Sequence, residues 1–380
     1  MLIIADENIP SAVTAFSRFG EVRTMHGRHM KAKDVRDADV LLVRSITRVN
    51  RELLAGSKVR FIGSATIGTD HIDLDWIAEQ GIVFANAPAS NAISAAEYVV
   101  SALLYVASRR AIDLSRLTAG IIGCGNVGSR VQTRLQAMGM QCLVCDPPRS
   151  EEEGPDGFVD MSDLAGADLI TVHVPLVVEG QHRTINLINQ DFLQSLSADC
   201  IFINTSRGDV VDESALKLKH EQYSSFRSIL DVWNNEPLID VELGGYADIA
   251  TPHIAGYSID GKLRATGMLY EALNSYLGTE SSWSAKSMLP TPADPVIRLA
   301  ADMSAAEVIS TCMNQVYDIT ADDQRMRNTF DLPEVERGQA FDRLRKDYPM
   351  RRECSAYRID QASINPEHID LLKSFEFTLV

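Results

Sequence analysis

The chain has 380 residues, too long for one compact core and, at about 150 per domain, predicts two or three domains, not a small disulfide-stapled scaffold. Hydrophobic residues make up 45% and charged residues 23%, so neither a disordered chain nor a fibrous repeat fits. With 36 Lys and Arg against 52 Asp and Glu, the net charge of -16 repels a nucleic-acid backbone, and any anion site must be built locally from arginines, helix N-termini and backbone amides.

Met1 to Pro10 reads as a short strand with acidic residues behind it, lacking the basic stretch and apolar run of a signal peptide. Through the first 255 residues short apolar runs alternate with helical stretches, the pattern of a parallel sheet covered by helices, so the predicted class is α/β. A first group of predicted strands spans 2–5, 40–43, 60–64 and 83–86. Asn91 can cap a long helix through Ala95, Val99, Leu103 and Val106 to Arg109, apolar at helical spacing, which reads as a bridge between domains. A second group spans 119–122, 141–145, 169–172, 201–204, 229–231 and 249–250, and six strands suit a dinucleotide fold. The amphipathic stretch 259–277 predicts a helix returning to the first domain, and two crossings imply a hinged cleft.

Residues 283–295, with Pro290, Pro292 and Pro295, read as a linker into a third unit of about 85 residues. That unit is predicted to hold a helical run over 296–317, a basic cluster (Arg343, Arg345, Lys346, Arg351, Arg352) and a strand-type run over 375–380. An appendage of this kind makes a subunit contact more often than an active site, and the basic cluster reads as a solvated face. The sharper alternative is that part of the cluster reaches a partner's cleft and assists phosphate binding. Six cysteines lie in mostly apolar contexts, which reads as reduced thiols in a cytoplasmic protein; Cys142 and Cys145 sit on opposite faces of one predicted strand. No window of 18 apolar residues predicts a membrane span.

Gly123-Cys124-Gly125-Asn126-Val127-Gly128 is a G-x-G-x-x-G between a predicted strand and a predicted helix, and Asp146 closes the next strand 23 positions after Gly123. The first glycine allows the tight turn, the second lets backbone amides approach a pyrophosphate, and the third permits close helix packing. The helix N-terminus then stabilises the phosphate charge, and Asp146 would accept the adenosine ribose hydroxyls, selecting NAD over NADP. Three polar clusters follow the last three strands and carry Arg207, Glu236 and His253. Strand carboxyl ends are where open α/β sheets bind ligands. Oxidising an alcohol beside a carboxylate needs a base, a cation and an acid to orient the base, roles suited to His253, Arg207 and Glu236. His173, after the third of these strands, is placed beside the cofactor.

The glycine loop with Asp146, Thr205-Ser206-Arg207-Gly208 with Val211-Asp212, Asp231-Val232-Trp233 with Glu236-Pro237, and Pro252-His253 together resemble the motifs of the D-isomer-specific 2-hydroxyacid dehydrogenase family over residues 1–280. The resemblance implies a Rossmann-type NAD domain inserted into a flavodoxin-like substrate domain, with catalysis in the cleft. The corresponding boundaries are 1–92 with 258–285 for the substrate domain, 93–257 for the NAD domain and 286–380 for a small C-terminal α+β dimerisation domain. Arg44-Ser45, the run Gly63 to His71 and Gly256-Tyr257 resemble a subgroup acting on a small phosphorylated hydroxy acid. By residue matching, Ser45, Thr66 and Tyr257 would contact substrate, with Arg44 supplying a cation, and Gly123, Gly125, Asn126, Val127, Gly128, Asp146, Thr205, Ser206, Arg207, Asp231 and Gly256 would contact NAD. A homodimer is implied, without metal, membrane or nucleic acid. Two alternatives stay open: another enzyme of the family, such as one acting on 3-phosphoglycerate, and an NAD-sensing interaction protein.

Overall fold

The computed structural model describes residues 1–380 apart from Ser363. Its contacts divide the chain into two compact units, one made of 1–91 with 257–291 and the other of 92–256 with 292–380.

The first unit is built on a parallel sheet of β1 (Leu2–Asp6), β2 (Glu21–Met25), β3 (Val40–Val43), β4 (Phe61–Ser64) and β5 (Val83–Asn86), in the order β2-β1-β3-β4-β5. This is the flavodoxin-like order 2-1-3-4-5. β3 and β4 are buried along their whole length, as central parallel strands must be when both faces are covered. β2 was not predicted: it is an edge strand that pairs only with β1, and its mostly exposed side chains leave no apolar run to read. The predicted return helix spans Ile259–Leu277, capped by the Ser258 hydroxyl, and packs Leu269, Tyr270 and Leu273 into one core with Ile3, Phe16 and Phe61.

The second unit opens with the long helix Ala92–Arg110, most of whose residues are buried. Its sheet contains β6 (Thr118–Ile122), β7 (Gln141–Cys145), β8 (Leu169–Val172), β9 (Ile201–Asn204), β10 (Arg227–Leu230) and β11 (Ile249–Ala250), all parallel. Their order is β11-β10-β9-β8-β6-β7, so the chain reverses its direction of growth at β6. A crevice at the carboxyl end of such a switch point is where doubly wound sheets take their ligand. All six cysteines are free; Cys145 is buried and Cys142 partly exposed, in keeping with opposite strand faces.

The C-terminal segment adds a three-stranded parallel sheet of β12 (Val296–Ile297), β13 (Arg358–Ile359) and β14 (Thr378–Leu379). Three expectations are corrected here. The helical run expected over 296–317 begins as a strand and becomes helical only at Ala305–Val316, where Ser304 and Glu307 form a capping box. Strand structure over 375–380 is confined to β14, because the helix Ile369–Ser374 runs up to Phe375. The basic cluster is not one solvated face: Arg343 and Lys346 are exposed, whereas Arg351 and Arg352 are buried at 6% and 8%. Residues 292–380 fall in the same compact unit as the dinucleotide-type sheet. No helix among the described residues is long and apolar enough to cross a membrane.

Candidate active site

The glycine loop leaves β6 with Gly123 in the left-handed region at φ 82, its N–H donating to the Cys145 carbonyl at 2.9 Å. A Cβ on Gly128 would overlap the Gly123 carbonyl, so the loop closes only with glycine there. A Cβ on Gly125 would meet no heavy atom, leaving its backbone open to approach. The helix Gly128–Ala137 begins without a capping side chain, its Ser129 N–H turned back to the Gly125 carbonyl at 3.1 Å, and such an N-terminus suits an anion. These features fit a dinucleotide pyrophosphate.

Asp146 does more than expected. Its carboxylate accepts the Cys124 N–H at 2.7 Å and caps the helix Pro147–Glu153 through the Arg149 N–H at 3.2 Å. Arg149 in turn donates to the Cys124 carbonyl at 2.6 Å and pairs with Glu153. Two of the carboxylate's four lone-pair positions are thereby taken, and two remain for a ribose. His173, at the end of β8, hydrogen-bonds Thr171 at 2.9 Å and Thr205 at 3.2 Å, and desolvation pushes its pKa down to about 3, so the ring is neutral.

Three loops at neighbouring strand ends interlock. Asn204 accepts the Ser206 N–H and hydroxyl, and its amide donates to the Arg207 carbonyl, fixing the turn that carries the guanidinium. Gly208 lies so close to the Trp233 backbone that a Cβ would overlap it, which sets the arginine loop against the loop after β10. Glu236 accepts the Trp233 N–H at 3.1 Å and faces His253, whose Nδ1 lies 2.9 Å from Oε2. Burial raises the Glu236 carboxyl, but the charge and hydrogen bond of His253 and the charge of Arg345 outweigh it and hold the group below its usual value. The dyad is therefore built around an ionised glutamate facing the imidazole.

His253 has φ 58, a left-handed backbone held by its N–H donating to the Asp231 carbonyl at 2.7 Å. The Asp231 side chain, expected among the cofactor contacts, is 1% exposed and turned into the histidine loop, where it accepts Thr251 Oγ1 at 2.6 Å, Ile254 N–H at 2.7 Å and Ala255 N–H at 2.9 Å. Tyr98 from the long helix closes the network on Thr251 at 2.6 Å. Of these anchors the sequence pointed to Asp231 alone; Thr251 and Tyr98 carry no motif of their own, nor does the half-buried Glu213, which accepts the Asn234 N–H at 2.8 Å and is pushed up to about 7 by desolvation.

In the first unit, Arg44 follows β3 and donates to the Tyr257 hydroxyl at 3.2 Å, while Lys262 lies 4.4 Å over the Tyr257 ring. Thr66, after the adjacent strand β4, is fixed by Ser64 at 2.7 Å and by the Gly68 carbonyl at 3.2 Å, and Ser45 is exposed. Four expected substrate residues thus share one sheet edge, and Lys262 joins them. Sequence reading passed over Lys262 because it sits in the first turn of a helix recognisable only by its apolar face.

A profile described as "D-isomer specific 2-hydroxyacid dehydrogenase, NAD binding domain" matches residues 89–255, and a domain of unknown function (DUF3410) matches 288–375. The chain belongs to the D-isomer-specific 2-hydroxyacid dehydrogenases and is an NAD-dependent enzyme of that family. Within it, the chain is 44% identical over 382 residues to the erythronate-4-phosphate dehydrogenase of Marinobacter nauticus, covering 100% of both chains. It is 46% identical over 374 residues to the erythronate-4-phosphate dehydrogenase of Salinibacter ruber, covering 96% of this chain and 95% of that one. Among solved structures it resembles a D-lactate dehydrogenase of Aquifex aeolicus complexed with NAD and lactic acid, with a TM-score of 0.62 and 25% identity over 73% of this chain and 96% of that one. An NAD-bound 3-phosphoglycerate dehydrogenase of Entamoeba histolytica gives a TM-score of 0.63 at 25% identity, over 73% of this chain and 96% of that one.

Proposed function

We propose that the substrate is 4-phospho-D-erythronate, oxidised at its 2-hydroxyl to 2-oxo-3-hydroxy-4-phosphobutanoate, as a step of pyridoxal 5'-phosphate (vitamin B6) biosynthesis in the cytoplasm. What carries the substrate assignment is likeness to erythronate-4-phosphate dehydrogenases along 96–100% of the chain, of which the solved D-lactate and 3-phosphoglycerate dehydrogenases cover 73%. Arg207 holds the substrate carboxylate and 2-hydroxyl. His253 takes the hydroxyl proton through the ring nitrogen that does not face Glu236, and Glu236 stabilises the resulting imidazolium. The glycine loop and Asp146 would hold NAD, which would supply the acceptor for the C2 hydride. Ser45, Thr66 and Tyr257 bind substrate as neutral donors, and Arg44 with Lys262 supplies positive charge suited to a phosphate dianion. The glycine loop, Asp146, Thr205, Ser206 and Gly256 serve the cofactor, while Asp231 serves it indirectly by shaping the histidine loop.

Turnover of NAD with a panel of 2-hydroxy acids tests this reading. The highest kcat/KM is expected with 4-phospho-D-erythronate; a higher value with 3-phosphoglycerate would overturn the substrate assignment, and no turnover with any member would overturn the enzyme.

Asp146→Ser is expected to reduce the preference for NAD over NADP by roughly tenfold or more, the scale of a hydrogen bond to a charged group at about 1.5–3 kcal/mol. Because the same carboxylate holds the Cys124 amide, NAD affinity should fall as well. An unchanged ratio of catalytic efficiencies for the two cofactors would remove Asp146 from the selection.

A further inference from the structure

Arg351 lies far along the chain from the residues of the dehydrogenase motifs, yet its guanidinium ends beside them. The side chain is buried, with Nη2 donating to the Ser94 carbonyl at 2.7 Å and Nη1 to the Ala255 carbonyl at 3.3 Å. Its flat face lies 3.8 Å from the centre of the Tyr317 ring, and Glu97, itself fully buried, stands 3.5 Å from Nη2. The other Glu97 oxygen accepts the Cys354 N–H at 2.8 Å, so the carboxylate bridges the long helix and the C-terminal segment.

Ala255 is two residues past His253, and its two polar backbone atoms are held from different parts of the chain. Its N–H goes to the Asp231 carboxylate at 2.9 Å and its carbonyl to Arg351. The Asp231 anchor alone leaves the carbonyl side of the loop without a fixed donor, and a left-handed residue such as His253 persists only where its surroundings over-determine it. The planar fork of arginine suits the task, since it serves two carbonyls from one rigid group while stacking on an aromatic ring.

We propose that Arg351 is a positioning residue for His253: it sets the loop that presents the imidazole to substrate, so the C-terminal segment completes the catalytic site within the same chain. This rests on the assignment of His253 as the base. A displacement of about 1 Å in such a group costs up to about 10²-fold in rate.

The test uses the full chain with NAD and 4-phospho-D-erythronate, comparing the parent with R351M, R351K and H253A, with kcat expressed per NAD-binding site. R351M, of similar length but without donors, is expected to lower kcat by about 10²-fold while KM and the dissociation constant of NAD stay within about twofold. R351K retains a cation over Tyr317 and one donor, and is expected to recover about tenfold of that loss. If R351M does not fold, R351K carries the test, with kcat about tenfold below the parent at unchanged NAD affinity. An unchanged kcat per site in the folded variants would overturn the proposal, as would a parallel loss of NAD affinity and kcat, which marks a scaffold residue. A parent whose turnover survives in H253A would instead remove the base assignment on which the proposal stands.

Discussion

His253→Ala is expected to lower kcat by about 10²–10⁴-fold, the usual contribution of a positioned general base, while NAD affinity stays within about twofold of the parent. The asymmetry follows from the architecture. The imidazole comes from the loop after β11 and meets Glu236, whereas the glycine loop follows β6 and Asp146 follows β7. The substitution is also expected to leave the fold intact, because the side chain is partly exposed and the loop is held by its backbone through Asp231. Glu236→Gln should cost less, since the base survives without its counter-charge. The kcat of Glu236→Gln is therefore expected to lie between those of the parent and His253→Ala. Near-parent turnover in His253→Ala would refute the assignment, and parent-level turnover in Glu236→Gln would refute the role of the glutamate.

A chain ending at residue 291 is expected to lose NAD binding and to aggregate. The helix Ala305–Val316 packs on Ala92–Arg110, and Ile369–Ser374 packs on Gly128–Ala137, so the cut strips cover from the helix that opens the unit and from the helix of the glycine loop. Val308, Ile309, Met313 and Leu372 are among the buried side chains lost. At about 1.5–3 kcal/mol each, those four alone rival the 5–15 kcal/mol that holds an ordinary domain together. Glu97 and Arg134, buried in the whole chain, would meet water beside stranded apolar surface. A soluble fragment that binds NAD and melts at the parent's temperature would overturn this expectation. We further propose that the intact chain is a homodimer joined through residues 286–380, for which light scattering should give about twice 41.8 kDa; a mass of one chain would reject it.

Much of this could be read before any coordinates, and the boundary between legible and hidden is physical. The strands β3, β7, β8 and β9 and the return helix fall where the apolar runs put them, because buried parallel strands and one-faced helices write their environment into residue spacing. Glu236 and His253 were legible because their loops follow strand ends in a fold whose ligand edge is known. β2 was not, since an edge strand with solvent on most of its side chains needs no apolar pattern. Arg351 looked like solvated charge, because sequence records a guanidinium but not the Ser94 carbonyl and Glu97 carboxylate that receive it from about 250 residues away, nor the Tyr317 ring beneath it.

The division of the chain into two units bears on its synthesis. Each unit is assembled from two stretches separated by part of the other, 1–91 with 257–291 and 92–256 with 292–380. When a ribosome has translated as far as Gly256, the nascent chain already holds the glycine loop, Arg207, Glu236 and His253, yet each unit still lacks part of its packing. The first waits for Leu269, Tyr270 and Leu273, and the second for residues such as Arg351, which meets Ser94 across 257 positions of sequence. Contacts of such separation form slowly, and half-made domains expose apolar surface while they wait. The catalytic side chains are therefore translated before the contacts that position them, and apolar surface that those contacts cover stays open in between.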